Sequence, residues 1–244
     1  MSHSSDPTDY YWQLPAFSFH SGLGLWIAAN ADAAAQVLDH PQCLVRPSAE
    51  PVPRAFVGTA VGRIFELLAR MSEGERHRQA RGFVVSTVGQ WSEEDIVLAV
   101  DDVWRLLPQD AHSALWRLPV SAVARLMGFD VAEAIAVAEK VEALAACIAP
   151  GADVPAVFDA GERAAVELWR VMKQSSEEEF ETANRIGIVL QACEASAGYI
   201  GTGAPSVHNT RRFVAEDVVI QGTPVPRGSV ILVLLAPIGI PLVR

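Results

Sequence analysis

The stretch Ile186–Ile200, IGIVLQACEASAGYI, decides the fold class, because its apolar residues fall on every side of a helix. A helix that is hydrophobic all round is buried inside a domain rather than laid on its surface. The pattern predicts a central buried helix from about Glu177 to Ile200. The rest of the fold should therefore be built from elements that pack around this helix.

Segments with helical periodicity precede the central helix, and β-rich segments follow it. Ser92 is a typical N-cap, because acidic residues fill the helical turn that comes after it. The predicted helices are Ala31–Leu38, a helix after Ser92, Leu118–Met127, Val131–Ile148 and Pro155–Lys173, and the predicted strands are Leu25–Ala29, Asp217–Ile220 and Val230–Leu235. We therefore expect a mainly α protein with a small β subdomain, consisting of an irregular N-terminal arm over residues 1–24 and a single domain over residues 25–244.

The composition argues against nucleic-acid binding and against a membrane-spanning segment. The chain has 244 residues, of which 50% are hydrophobic and 20% are charged, and its formal net charge is −10. A nucleic-acid surface needs clustered Lys and Arg to neutralise phosphates, so no nucleic-acid partner is expected. The longest uncharged run, Gly228–Val243, is too short and too broken by proline and glycine to span a membrane.

The three cysteines, Cys43, Cys147 and Cys193, are far apart in the sequence, and none belongs to a Cys/His cluster with metal-binding spacing. No metal ligand is therefore predicted from the residues. Scattered cysteines in odd number favour a reducing compartment, and the polar N-terminus lacks the apolar segment of a signal peptide. The expected location is the cytoplasm.

His77 and Arg81 lie four residues apart, so that on a helix they share one face. Two aligned donors of this kind suit a pair of carboxylates, and an arginine can bind a carboxylate through two parallel hydrogen bonds. Without further support, a run of polar residues is more often a solvated helix face. Both interpretations stay open at this point.

Glu194 is a carboxylate within the apolar central helix, and Ser196 follows it closely. A buried carboxylate is costly unless it has a partner, water or a raised pKa, and such groups are enriched at functional sites. The alternative is that Glu194 lies on an exposed stripe of the helix. The residue pattern does not distinguish the two.

Two other charged pairs are weaker signals. Arg211 and Arg212 lead into a predicted strand, where arginines are usually surface charges unless an anion is bound. Glu167 and Arg170 have Glu-x-x-Arg spacing within an amphipathic helix, and we interpret them as an ion pair between residues i and i+3.

Taken together and in order, five segments resemble a bacterial cytochrome P450, a haem-thiolate monooxygenase. They are Leu25–Pro47 (LWIAANADAAAQVLDHPQCLVRP), Glu73–Arg81 (EGERHRQAR), Leu118–Asp130 (LPVSAVARLMGFD), Ala192–Gly198 (ACEASAG) and Pro205–Gly228 (PSVHNTRRFVAEDVVIQGTPVPRG). The resemblance covers roughly residues 25 to 235.

The resemblance implies a partial cytochrome P450-like fold, haem as the cofactor, a small hydrophobic substrate and a redox partner. His77, Arg81 and Arg212 take the positions at which that family holds the haem propionates. Glu194 takes the position of the acid in the distal proton relay, and Ser196 would substitute for the alcohol that normally follows the acid.

The departures from the family concern the reaction itself. Ala195 stands at the alcohol position, and the helix with the family's Glu-x-x-Arg motif is missing between the central helix and Pro205. No segment matches the FxxGxxxCxG loop that supplies the thiolate ligand, whose electron donation to iron favours O–O cleavage. We therefore expect the chain to be inactive as a monooxygenase on its own.

Two other interpretations remain open. Some relatives of this family lack the cysteine ligand and act by binding and stabilising a partner enzyme, which would make this chain a haem-free helper protein. The chain could also be a decayed gene product without a function.

Overall fold

The computed structural model describes residues 14–149, 154–173, 178–202 and 209–235, with residues 194–202 described by their backbone alone. The described residues up to Pro51 and from Asn209 onward form a sheet unit, and those from Val52 to Thr202 form a helical unit. The prediction that residues 25–244 make a single domain stays a prediction.

The sheet unit contains a five-stranded sheet, a two-stranded hairpin and one helix. The strands are β1 Phe17–His20, β2 Leu25–Ala28, β3 Cys43–Leu44, β4 Asn209–Val214, β5 Val218–Ile220, β6 Thr223–Val225 and β7 Val230–Leu234, and the helix is α1 Ala31–Asp39. The five-stranded sheet has the order β1-β2-β7-β4-β3, and β5 pairs with β6. The strands β2 and β7 are parallel, with Trp26 opposite Ile231, whereas the other pairs are antiparallel.

The sheet unit differs from the sequence-based expectation at two places. Phe17–His20 forms β1, although irregular backbone is predicted there, because this segment pairs with β2 and the Phe17 ring stacks on Trp26 at 5.2 Å between centroids. Arg211 and Arg212 lie within β4 rather than before a strand, because β4 continues as far as Asn209 along β7. In both cases the strand is defined by its partner strand, which the pattern of residues within the strand does not reveal.

The helical unit consists of seven α-helices in its described part. They are α2 Ala60–Leu67, α3 Gly74–Val88, α4 Glu93–Trp104, α5 Leu118–Leu126, α6 Val131–Ile148, α7 Pro155–Lys173 and α8 Glu179–Thr202. The last of them, α8, packs against α2, α3, α5, α6 and α7. The prediction of a central helix is therefore confirmed, and its buried residues up to Cys193 include Ile186, Val189 and Leu190.

The helix α4 begins where the sequence predicts it. The Ser92 hydroxyl accepts from Asp95 N at 3.1 Å, and the Asp95 carboxylate accepts from Ser92 N at 3.0 Å, which completes a capping box. The Ser92 hydroxyl also lies 2.6 Å from the Asp95 carboxylate, to which it can donate, and this hydrogen bond, followed by the one from Ser92 N, lowers the pKa of Asp95. The helix α4 is only partly buried, since Val103 is in the core while Ile96 is exposed.

Candidate functional site

The helix α3 carries His77 and Arg81, one turn apart. Gly74 opens this helix with a φ of +60°, a conformation that glycine adopts without the steric penalty of a side chain. His77 is half-buried and Arg81 is exposed. The structure therefore confirms that the two residues lie on one helix in adjacent turns.

The His77 ring has a fixed hydrogen bond to the backbone of the turn before α3. Its Nδ1 atom lies 2.8 Å from the carbonyl oxygen of Ala69. A carbonyl oxygen only accepts, so Nδ1 carries the proton in this bond. The Nε2 atom is the ring nitrogen left for another group, and it donates to a carboxylate only in the imidazolium form.

Arg81 is the arginine of α3 that has no hydrogen bond or ion pair within the described residues. Arg76 pairs with Glu66 at 3.8 Å, and Arg78 pairs with Glu75. The guanidinium of Arg78 holds the pKa of Glu75 below its usual range. Arg81 thus offers an uncompensated, exposed cation one turn from the His77 ring.

Arg212 lies in β4 of the sheet unit and is half-buried. Its Nη1 atom donates to Thr210 Oγ1 at 3.0 Å and to the carbonyl of Arg211 at 2.9 Å. Its positive charge opposes the effect of burial on the nearby thiol of Cys43, and burial dominates, so that the pKa of Cys43 is raised.

Glu194 and Ser196 lie in α8, where the structure describes the backbone alone. Their predicted role in a proton relay therefore stays a prediction. Cys193, the preceding residue, is 2% exposed and belongs to the core of the helical unit.

The three cysteines of the sequence are all buried, and none forms a disulfide. Their exposed fractions are 4% for Cys43, 3% for Cys147 and 2% for Cys193. Burial raises the pKa of the Cys147 thiol, and the negative charge of Glu162 raises it further. A haem iron needs an accessible thiolate, so these cysteines do not fit an axial ligand, whereas His77 and Arg81 fit haem propionates.

The Glu-x-x-Arg spacing in α7 does not form an ion pair of its own. Glu167 pairs instead with Lys140 of α6 at 3.5 Å, so the expected ion pair with Arg170 is wrong. The side chain of Glu167 reaches the neighbouring helix because α6 and α7 pack along much of their lengths.

Sequence patterns did not reveal Asn184, a polar residue that is 2% exposed in α8. Its side chain makes three hydrogen bonds, two of which reach the end of α2 and the turn that follows it. The only signal in the sequence was an amide just before the apolar stretch that begins at Ile186. Two of its three partners lie more than a hundred positions earlier in the chain, so no local pattern could identify them.

The described residues contain neither a metal-binding cluster nor a membrane-spanning helix. They contain no cluster of three or more His, Cys, Asp or Glu side chains that could hold a metal ion. None of the helices in this part of the chain has both the length and the apolar character needed to cross a bilayer.

Comparison with known proteins gives a fold likeness alone. No protein-family profile matches the sequence, and no curated protein does. The solved structures that match include CalO2, with 16% identity, a TM-score of 0.72 and coverage of 94% of this chain and 74% of the other. P450 RauA, complexed with a biosynthetic intermediate of aurachin RE, matches with 18% identity, a TM-score of 0.71 and coverage of 95% and 76%.

P450BioI, solved in complex with an acyl carrier protein ligated to hexadec-9Z-enoic acid, matches with 15% identity and a TM-score of 0.69. The match covers 95% of this chain and 77% of that one. These are cytochrome P450 structures. The helices around α8, the small sheet and these likenesses together show that the chain has a partial cytochrome P450-like fold, mainly α with a small β subdomain.

Proposed function

We propose that this chain is a cytochrome P450-like protein that binds haem through its propionates but is inactive alone as a monooxygenase. The observation that carries the proposal is the contrast between two parts of the chain. The donors of α3 point to a carboxylate ligand, while each of the three cysteines is buried. In the cytochrome P450 family, haem-dependent monooxygenation acts on small hydrophobic molecules, and the haem supplies the redox-active iron.

The residue roles in this proposal follow the family resemblance. His77, Arg81 and Arg212 are propionate contacts. Arg81 is the arginine of α3 whose charge has no partner among the described residues, whereas Arg76 and Arg78 are paired. Glu194 belongs to the distal proton relay, and Ser196 is the substitute alcohol. A small hydrophobic substrate, a redox partner and a cytoplasmic location complete the proposal.

The test is a titration of the purified chain with haemin, followed by absorption spectra in the oxidised form and in the reduced form under carbon monoxide. We expect saturable binding of one haemin and a spectrum without thiolate character. A thiolate-type Soret band would contradict the burial of the cysteines, and the absence of saturable binding would contradict the haem proposal. Substrate hydroxylation that depends on NAD(P)H and redox partners would contradict the predicted inactivity.

A matched pair of variants separates a propionate contact from general attraction of haemin to arginine. We expect Arg81→Gln to weaken haemin binding about tenfold, which is ~1.4 kcal/mol and in the range of one charge-assisted hydrogen bond. Arg78→Gln is the control, because Arg78 lies on the same helix, is also exposed and is already paired with Glu75. Equal losses in both variants would count against a specific contact of Arg81.

The second candidate is a haem-free helper that binds a partner enzyme, and a surface feature favours it. Five apolar side chains are exposed at the end of α3 and the start of α4: Val85, Val88, Ile96, Val97 and Leu98. A local concentration of exposed apolar side chains is typical of protein–protein contact surfaces. The known complex of P450BioI with an acyl carrier protein supports protein partners for this fold in general.

The helper candidate predicts that the chain raises the turnover or the melting temperature of a cytochrome P450 partner that is co-expressed with it. Val97→Glu should remove this effect, because a charge at the contact would lose its hydration on binding. Val166→Glu in α7 is the control, since Val166 is as exposed as Val97, at 55% against 56%. If neither the native chain nor the control variant affects the partner, the helper candidate is ruled out for that partner.

A further inference from the structure

Asn184 is a buried amide whose two N–H donors and carbonyl oxygen all take part in hydrogen bonds. Its Oδ1 atom accepts from Ala69 N at 2.8 Å, and its Nδ2 atom donates to the carbonyl oxygens of Leu67 at 2.9 Å and Phe180 at 2.7 Å. Phe180 lies one turn earlier on the same helix. The other two bonds reach from α8 to the last residue of α2 and to the segment that connects α2 to α3.

These two bonds hold the backbone on both sides of Leu68. The Leu68 side chain is 3% exposed and packs in the core of the helical unit, against α8. A Cβ atom on Gly187 would lie 2.8 Å from Leu68 Cδ2, which shows how closely α8 approaches this side chain. The turn Ala69–Met71 is therefore fixed to α8 by polar contacts and by packing.

The same turn presents the carbonyl that holds the His77 ring. Ala69 O accepts from His77 Nδ1 at 2.8 Å and from the Ser72 hydroxyl at 3.1 Å. A displacement of Ala69 would therefore move the acceptor of the His77 proton. Asn184 and His77 are thus connected through a single residue, Ala69, which both of them contact.

We propose that Asn184 is a positioning residue for His77. By fixing the Leu67–Ala69 backbone, it keeps the acceptor of the Nδ1 proton in place and so directs Nε2 away from the turn. There the Nε2–H of the imidazolium form can donate to an anionic group. The inference rests on the proposed function for the identity of that group, a haem propionate. The arrangement of the ring itself is independent of haem and can be tested without it.

The main test measures the His77 tautomer by ¹⁵N NMR of the full chain with labelled histidine, with His77→Gln to assign the signals. Asn184→Ser is the principal variant, because a serine hydroxyl in a helix bonds to the carbonyl four residues earlier, here Phe180, and cannot replace the two bonds to residues 67 and 69. Asn184→Thr makes the same single bond and fills more of the space. Thr182→Val is the control, since Thr182 is also buried and its hydroxyl donates locally, to the carbonyl of Glu178 just before α8.

We expect the neutral His77 ring to carry its proton on Nδ1 in the native chain and in Thr182→Val. In the two Asn184 variants, a substantial part of the signal should move to the Nε2–H tautomer. A folded Asn184 variant in which the Nδ1–H tautomer is unchanged would overturn the inference. Failure of both Asn184 variants to fold while Thr182→Val folds would also overturn it, because Asn184 would then be a structural residue.

Haemin titration links the position of the ring to ligand binding. We expect Asn184→Ser to weaken haemin binding by roughly three- to tenfold, the range of one ordinary hydrogen bond, and to have no such effect in a His77→Gln background. An equal loss in both backgrounds would contradict action through His77. If the tautomer changes as expected but no variant and no native chain binds haemin, the proposed function fails while the positioning role stands.

Discussion

At the residue scale, the carboxylate of Glu162 completes the start of a helix to which it does not belong. Glu162 lies on α7, yet its Oε1 accepts from Ala60 N at 2.7 Å and its Oε2 from Val61 N at 3.1 Å. The Thr59 hydroxyl accepts from Gly62 N at 3.0 Å. The first three backbone N–H groups of α2 therefore all have acceptors, although a helix supplies none of its own there.

We expect Glu162→Ala to lower the free energy of unfolding by about 2–3 kcal/mol, because it leaves two half-buried backbone donors without acceptors. Urea unfolding monitored by circular dichroism at neutral pH would measure the change. Glu167→Ala is the matched control on the same helix, since Glu167 is exposed and its ion pair with Lys140 should contribute less than about 1 kcal/mol. Similar losses in the two variants would refute the capping role of Glu162.

The buried thiol of Cys147 makes the stability of the fold depend on alkaline pH. Its pKa is raised by burial and by the charge of Glu162, so the unfolded chain loses this proton at a lower pH than the folded chain does. The resulting contribution to stability is fully present below the unfolded pKa of about 8.5, and it is lost as the pH rises through the higher folded pKa.

Stability should therefore fall less steeply between about pH 8 and pH 10 in Cys147→Ala than in the native chain. The measurement is the urea midpoint across that range, with the cysteines kept reduced. Val141→Ala serves as a control, because it also shortens a buried side chain of α6 but removes no titrating group. Parallel pH profiles for the native chain and Cys147→Ala would show that the thiol does not contribute.

At the element scale, α6 and α7 approach each other closely where Gly161 faces Cys147. A Cβ atom on Gly161 would lie 2.2 Å from Cys147 Cβ and 2.8 Å from its Sγ. We expect Gly161→Ala to lower the free energy of unfolding by roughly 1–3 kcal/mol through overpacking. Adding Cys147→Ala to Gly161→Ala should not restore the lost stability, because the nearer clash is with the Cβ atom of residue 147, which alanine retains.

The same substitution at Gly82 should act in the opposite direction. Gly82 lies inside α3, has no heavy atom near the position of a Cβ, and adopts ordinary helical backbone. Alanine there should raise the free energy of unfolding by about 0.5–1 kcal/mol, because glycine is the more costly residue in a helix. Thermal unfolding of both variants would test the pair, and destabilisation by Gly82→Ala would show that α3 is more crowded than described.

The elements that could be predicted from sequence were those coded by neighbouring residues. The Ser92 cap and the all-apolar stretch at Ile186 rely on local hydrogen bonds and local periodicity, and both were recognised. Strand β1, the extension of β4 to Asn209 and the contacts of Asn184 depend on partners far away in the chain. A local pattern carries no information on such partners, and family resemblance supplied the positions of His77 and Arg81 where spacing alone left two interpretations.

At the scale of the whole molecule, a bound haem should stabilise the folded chain by mass action. A ligand that binds the folded state alone, at a free concentration about 100 times its Kd, adds about 2.7 kcal/mol to the free energy of unfolding. We expect haemin to raise the Tm with increasing concentration, and Arg81→Gln to need about tenfold more haemin for the same shift. A Tm that does not respond to haemin would argue for the haem-free helper.

The parallel pairing of β2 with β7 also has a consequence for folding during synthesis on the ribosome. Trp26 leaves the exit tunnel long before its partner Ile231, and at about 5–20 residues per second the interval is roughly 10–40 s. During that interval α2 to α8 are synthesised as one uninterrupted run, while the apolar strand β2 has no β7 to cover its free edge. Until β7 emerges, this edge of β2 is open to pairing with other chains, so slower translation would lengthen the time for which it is exposed.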